Sequence, residues 1–275
     1  MKGSVYTTFI VIILALFLLT GTDDEVLALS YDYGVFIGSS PREIRKLSKY
    51  EEVVIDGFYF TKENIDYLHK KGVKVYSYIN IGSLEEFRPY YNNFKNITLD
   101  DYENWHDEKW IDVSNEQWQN YLVNTLAKDL SDKGIDGFFI DNVDVYSIYK
   151  NSETFDGVYT ILNTLNTSYN KPIIINGGYE FINKAFSENI NVDNFLYGMN
   201  QEEVYTSIDD YKYNIFSKKS NTDINYTIEY LSSLKDHGFN IYVIEYSKNR
   251  RLNRKITNIY RDLNFKAYVS RSIDL

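Results

Sequence analysis

Residues 134–144 read GIDGFFIDNVD, and this stretch decides the fold class. Its centre is apolar, rich in β-branched and aromatic residues, opened by a glycine and closed by an acid. A short run that is apolar throughout, rather than alternating, suits a strand buried on both faces, as in a parallel sheet. Working outward, the signature recurs. YGVFIG (33–38), VVIDGF (53–58) and VKVYSYINI (73–81) precede IDGFFID (135–141). PIIIN (172–176), NFLYGM (194–199), NIYVIEY (240–246) and KAYVS (266–270) follow it. Amphipathic stretches lie between these runs. Ser114 stands as N-cap before NEQWQNYLVNTLAKDLSDKG, which Gly134 ends. Lys70-Lys71-Gly72 closes another helix, and His237-Gly238 closes one that begins near Thr222. Eight strand–helix repeats predict an α/β fold, a single (βα)8 TIM barrel. An open doubly wound sheet is the alternative, but no Gly-rich phosphate loop follows the first run.

The length of 275 residues suits one such domain, and 44% hydrophobic residues are enough to fill its core. No linker or low-complexity segment divides the chain. Residues 1–30 stand apart. Lys2 precedes an uncharged stretch from Gly3 to Thr22 with the core VYTTFIVIILALFLL. That is the form of a secretory signal peptide, or of an N-terminal membrane anchor if it is retained. Ala28 and Ser30 offer small residues for cleavage. The expectation is a secreted or extracytoplasmic protein whose barrel spans residues 31–275, with the membrane a partner only through a retained anchor.

A formal net charge of −10 argues against a nucleic-acid partner, which needs a basic face. Cys is absent, which excludes disulfides, thiolate metal sites and Cys nucleophiles. The three His residues, His69, His106 and His237, show no metal-ligand spacing, and there is no G-x-S-x-G elbow. A metal-dependent deacetylase therefore lacks its ligands, and the reading calls for no metal and no cofactor. Aromatic residues reach 17%, with 27 Tyr. Their faces suit the apolar faces of sugar rings, and they serve equally as core filler.

Several runs end in an acid: Asp56, Asp141 and Glu245, with Glu202 just past the sixth run. In a barrel these ends converge on one cup at the C-terminal face. Two carboxylates across a glycosidic bond are the minimal equipment for its hydrolysis. Each acid also has a plainer role open to it. Asp141 can cap a helix, and Asp144 fits that role better. Glu202 and Glu203 are adjacent, so at most one of them is expected to face the cup, and Glu245 can pair with Arg250 or Arg251. Two long connections, 82–114 and 200–221, belong to the same face, and the first carries Trp105 and Trp110.

Read together, VVIDG (53–57), YINIGSLEEFRPYY (78–91), WHDEKWIDVS (105–114), GIDGFFIDNVD (134–144), INGG (175–178) and NQEEVYT (200–206) form an ordered set. The set resembles the endo-α-1,4-polygalactosaminidases, family 114 of the glycoside hydrolases, over essentially everything after residue 33. The chain departs from that pattern at Ser83-Leu84. The resemblance implies a (βα)8 barrel that cuts α-1,4-linked, galactosamine-rich polysaccharide internally with retention of configuration. It implies Asp141 as nucleophile and Glu202 as acid/base, with Asp56, Tyr78, Arg88, Asp112 and Asn176 as candidates for lining the cup. Glu245, a strand-end acid, joins them as a substrate-binding candidate. Partly deacetylated galactosamine polymers are cationic, so an acidic cup would attract them. The alternative function is a non-catalytic polysaccharide-binding barrel at the cell surface.

Overall fold

Eight parallel strands follow one another around a single sheet in chain order. They are β1 (Tyr31–Phe36), β2 (Tyr50–Ile55), β3 (Lys74–Asn80), β4 (Gly137–Asp141), β5 (Ile173–Asn176), β6 (Leu196–Glu202), β7 (Asn240–Tyr246) and β8 (Lys266–Ser270). The sheet curls until β8 returns against β1, where the rings of Phe36 and Tyr268 meet edge-on at 5.3 Å. The result is a nearly closed barrel, the predicted fold. The computed structural model describes residues 31–103 and 105–275. The signal or anchor expected at residues 1–30 lies outside the described residues. Among the described residues no helix is long and apolar enough to cross a membrane.

The all-apolar runs are explained by burial on both faces. Val54, Tyr76, Phe139, Ile174 and Tyr242 fill the barrel interior, while their neighbours Val53, Val75, Phe138, Ile173 and Val243 pack outward under the helices. Fully burying side chains of this kind stabilises the fold by roughly 1.5–3 kcal/mol each. Tyrosine serves well inside the barrel because a buried ring can end in a satisfied hydroxyl. Tyr242 Oη donates to Glu52 Oε2 at 3.1 Å, and Tyr33 Oη donates to Asn200 Oδ1 at 3.3 Å.

Helix boundaries follow local chemistry, with one correction. The helix over 116–133 is capped by Asn115 rather than Ser114. Asn115 Oδ1 accepts the free N–H groups of Gln117 and Trp118 at 3.0 and 3.2 Å. Ser114 Oγ instead donates to Asp112 Oδ1 at 2.6 Å. Gly134 ends the helix in the left-handed region at φ 97°, as the sequence suggests.

Both long connections are structured. The first carries a small antiparallel sheet of Ser83–Glu85, Glu108–Ile111 and Thr98–Asp101. The second carries a hairpin of Thr206–Asp210 and Ile215–Lys218. Gly82 lets the first loop leave β3 against the chain after β4, since a Cβ there would sit 2.0 Å from the Asn142 carbonyl oxygen. Asn142 Nδ2 then donates to Asn80 Oδ1 and Ser83 Oγ at 3.1 and 3.0 Å, and Ser83 Oγ donates to Glu108 Oε2 at 2.6 Å. Ser83 is thus the hub that ties the loop to the barrel.

Candidate active site

Asp141 is the last residue of β4 and Glu202 the last residue of β6. β5 lies between these strands, and its own last residue, Asn176, joins the two acids. Asn176 Nδ2 donates to Asp141 Oδ1 at 2.9 Å and to Glu202 Oε1 at 2.8 Å. One nitrogen therefore bridges the two carboxyl groups, so the accepting oxygens lie no more than about 5.7 Å apart. The amide cannot flip without loss, because Asn200 Nδ2 donates to Asn176 Oδ1 at 2.7 Å. Asn200 in turn is held by the Tyr33 hydroxyl. Asp141 Oδ2 accepts from Tyr78 Oη at 3.0 Å, and Glu202 Oε2 accepts a short hydrogen bond from Tyr246 Oη.

Glu202 was expected just past the sixth strand. β6 instead runs on to include it, pairing it with Ile244 of β7. Glu203 then turns at φ 55°, ending the strand, and its carboxylate accepts from the Ile208 backbone N–H at 2.6 Å. The neighbouring glutamates thereby take separate tasks. Glu202 faces Asp141, and Glu203 ties down the hairpin.

The pair opens into a cleft of about 580 Å³ on the C-terminal face of the barrel. Its lining includes Tyr78, Asn176 and Tyr246 beside the acids, with Trp105 and Tyr211 at the loops. The charged side chains that line it are all acids. Glu85, Asp107, Glu108, Asp144, Glu203 and Asp274 join Asp141 and Glu202, and no Lys, Arg or His among the described residues does.

Burial first, and the neighbouring Asp141 charge second among the raising influences, push Glu202 up to about 7, against the pull of its hydrogen bonds from Tyr246 and Asn176. Burial also raises Asp141, but Asn176, the Asn142 backbone N–H and Tyr78 all favour its ionised form. Burial lifts Glu108 to about 8 and Asp144 to about 6. Asp144 is not the helix cap its position suggests. Its Oδ1 accepts from the Gly178 backbone N–H at 3.0 Å. The glycine pair of INGG permits that approach, since a Cβ on Gly177 would lie 2.0 Å from Asp144 Oδ2.

Four of the candidates do not line the cleft. Glu245 is fully buried on the outer face of β7, alongside Val243, while Tyr242, Ile244 and Tyr246 face inward. Its carboxylate accepts from the Tyr205 and Thr206 backbone N–H groups at 2.6 and 2.9 Å, and from the hydroxyls of Thr206 and Tyr260. Glu245 is therefore an anchor for the loop after β6, and it pairs with neither Arg250 nor Arg251. Asp56 and Arg88 are buried beneath the cleft. Arg88 Nη1 donates to Asp56 Oδ2 at 2.6 Å, and its Nε and Nη2 grip the Glu85 carboxylate. Glu85 Oε1 lies 3.4 Å from Tyr78 Oη, so the cluster braces the tyrosine that contacts Asp141. Asp112 accepts from the backbone and hydroxyl of Ser114 and shapes the turn before the helix.

Sequence reasoning missed Tyr246, which contacts Glu202, and Asn200, which holds the bridging Asn176. The signal was strand alternation. Asn200 lies two residues before Glu202 and shares its face, and Tyr246 is the inward neighbour of Glu245.

A barrel with paired acids at its strand ends has the minimal equipment of a glycoside hydrolase. The family model described as Glycoside-hydrolase family GH114 matches residues 35–272, and the chain belongs to that family. Among solved structures, the chain is similar to the glycoside hydrolase domain of PelA from Pseudomonas aeruginosa. That match has a TM-score of 0.75 and 15% identity, and covers 89% of this chain and 96% of that one. It is also similar to Aspergillus fumigatus Ega3 in complex with galactosamine, with a TM-score of 0.68 and 19% identity over 90% of this chain and 93% of that one. A comparison with curated protein sequences found no match.

Proposed function

We propose that the protein cleaves α-1,4-linked, galactosamine-rich polysaccharide internally, by a retaining mechanism in which Asp141 is the nucleophile and Glu202 the acid/base. The observation that supports this reading is the single Asn176 amide bonded to both carboxylates, which brings them as close together as a retaining mechanism requires. Glu202, pushed up to about 7, holds a proton at mildly acidic pH. It donates that proton to the leaving glycosidic oxygen while Asp141 attacks the anomeric carbon and forms a glycosyl ester. Glu202, now ionised, takes a proton from water, and the hydroxyl breaks the ester and frees Asp141. The galactosamine complex of Ega3 supports an amino-sugar substrate. The all-acid lining supports a cationic one, because carboxylates attract and orient ammonium groups. We also propose that the protein is exported, on the pattern of residues 2–22. Recovery of the protein from the cytoplasm alone would refute that.

The test is incubation of the purified protein with galactosamine-rich polymer, with products followed by mass and the first-formed anomer by NMR. Short oligomers of retained configuration are expected. Asp141→Asn and Glu202→Gln should each lower turnover by about a hundredfold or more, whereas Glu203→Gln should keep most of it. No cleavage, or a fully active Asp141→Asn variant, would overturn the reading. Saturable binding without cleavage would favour the binding barrel.

A further inference from the structure

Trp105 comes from the loop after β3 and Tyr211 from the hairpin after β6, yet their rings meet over one cleft with centroids 6.2 Å apart and planes at 80°. Edge-to-face contact uses the edge of one ring and one face of the other, so each ring keeps a face that the contact does not cover. Trp105 is 37% exposed, whereas Trp110 and Trp118 are 6% and 0% exposed. Tyr211 lines the same cleft as Asp141 and Glu202, and burial followed by the charges of Glu203 and Glu202 raises its hydroxyl. A cleft whose charged groups are all acids handles the ammonium and hydroxyl groups of an amino sugar. The apolar C–H face of the same ring needs a different partner, and these two aromatics supply it.

We propose that Trp105 and Tyr211 form a sugar-gripping subsite at the rim of the cleft, packing on the apolar face of one galactosamine unit next to the cleaved bond. The subsite rests on the polygalactosamine reading above and adds to it a contact that does not depend on charge. Charge attraction falls as salt rises, while ring packing does not. The subsite is built from the two loops rather than from the barrel, so it governs grip and chain position while leaving the acid pair intact.

The experiment uses Asp141→Asn protein, to prevent turnover, titrated with an α-1,4-linked galactosamine tetramer. Calorimetry reads total binding and intrinsic fluorescence reads tryptophan. The expected result is a saturable change in emission that tracks the calorimetric isotherm and disappears in Asp141→Asn/Trp105→Phe. Asp141→Asn/Trp105→Ala and Asp141→Asn/Tyr211→Ala should bind roughly tenfold more weakly, by a factor that is the same at low and high salt. In the otherwise native enzyme, Trp105→Ala should raise KM and change product lengths while kcat holds within about threefold. Calorimetric binding with no change in emission, and with full affinity in the alanine variants, overturns the subsite while leaving the substrate reading standing. A weakening that vanishes at high salt also overturns it. No binding heat at all would sink both the subsite and the substrate reading.

Discussion

Replacing Glu202 with Gln should abolish activity and, above pH 7, make the protein more stable. Glu202 titrates at about 7 in the fold, against an ordinary 4.5, chiefly because burial disfavours its charge. The sign follows from proton counting. Between pH 4.5 and 7 the folded state holds a proton that the unfolded chain has released, so stability falls as pH rises through that window and is level above it. At about 1.4 kcal/mol per unit, the full shift corresponds to roughly 3 kcal/mol. The side chain is partly open to the cleft, and solvent there reduces the figure to about 2 kcal/mol. Gln keeps the shape: its Oε1 can accept from Asn176 while its Nε2 donates to the Tyr246 hydroxyl, and it carries no charge to desolvate. The gap in stability between variant and native protein should therefore open by about 2 kcal/mol from pH 4 to pH 8. In a domain of this size that is a relative gain in Tm of roughly 4–8 °C. Thermal unfolding of both proteins across that range is the assay. Asp144 and Glu108 titrate in both proteins, so the difference reports mainly on Glu202. Parallel Tm–pH curves would refute the claim that desolvation raises this carboxyl, and with it the claim that it rests protonated.

Asn176→Ala should lower kcat by about tenfold or more, because both acids lose a shared donor. It should also shift the pH–rate profile upward, since that donor favours both ionised forms; an unshifted profile would reduce Asn176 to a packing role. Activity on cationic polymer should fall steeply with added salt and with full N-acetylation, measured as kcat/KM, because screening and loss of ammonium both weaken attraction to the acidic cleft. Equal rates on both polymers at every ionic strength would remove electrostatics from recognition. Glu245→Leu should destabilise the fold by about 3 kcal/mol or more, as two buried backbone N–H groups and two hydroxyls lose their acceptor. A Tm unchanged within a degree would show that the loop after β6 is anchored otherwise.

The fold was legible because burial on both faces leaves an unambiguous signature, eight short apolar runs at helix-length intervals. Asp141 stood out because it ends such a run, whereas Glu202 lies beyond its run and was singled out by the family resemblance. Which strand-end acid faces inward was harder to read. Side chains alternate with a period of two, so one residue of register moves an acid from the cleft to the outer layer. Glu245 fell on the wrong side of that choice, and the inward position belongs to Tyr246. β6 also runs three residues beyond its apolar run, because Asn200, Gln201 and Glu202 are polar residues in strand conformation. Their pairing with β5 and β7 holds them there, and no local propensity announces it. The ion cluster of Asp56, Arg88 and Glu85 was hidden for another reason. Each residue sits in a quotable motif, but only the fold shows that the guanidinium is used up between two carboxylates beneath the cleft. That arrangement bears on the mechanism. An Arg opening onto the cleft would hold nearby acids ionised and repel the ammonium groups of the proposed substrate. With its charge neutralised below, the cleft above stays anionic toward substrate and leaves Glu202 free to keep its proton.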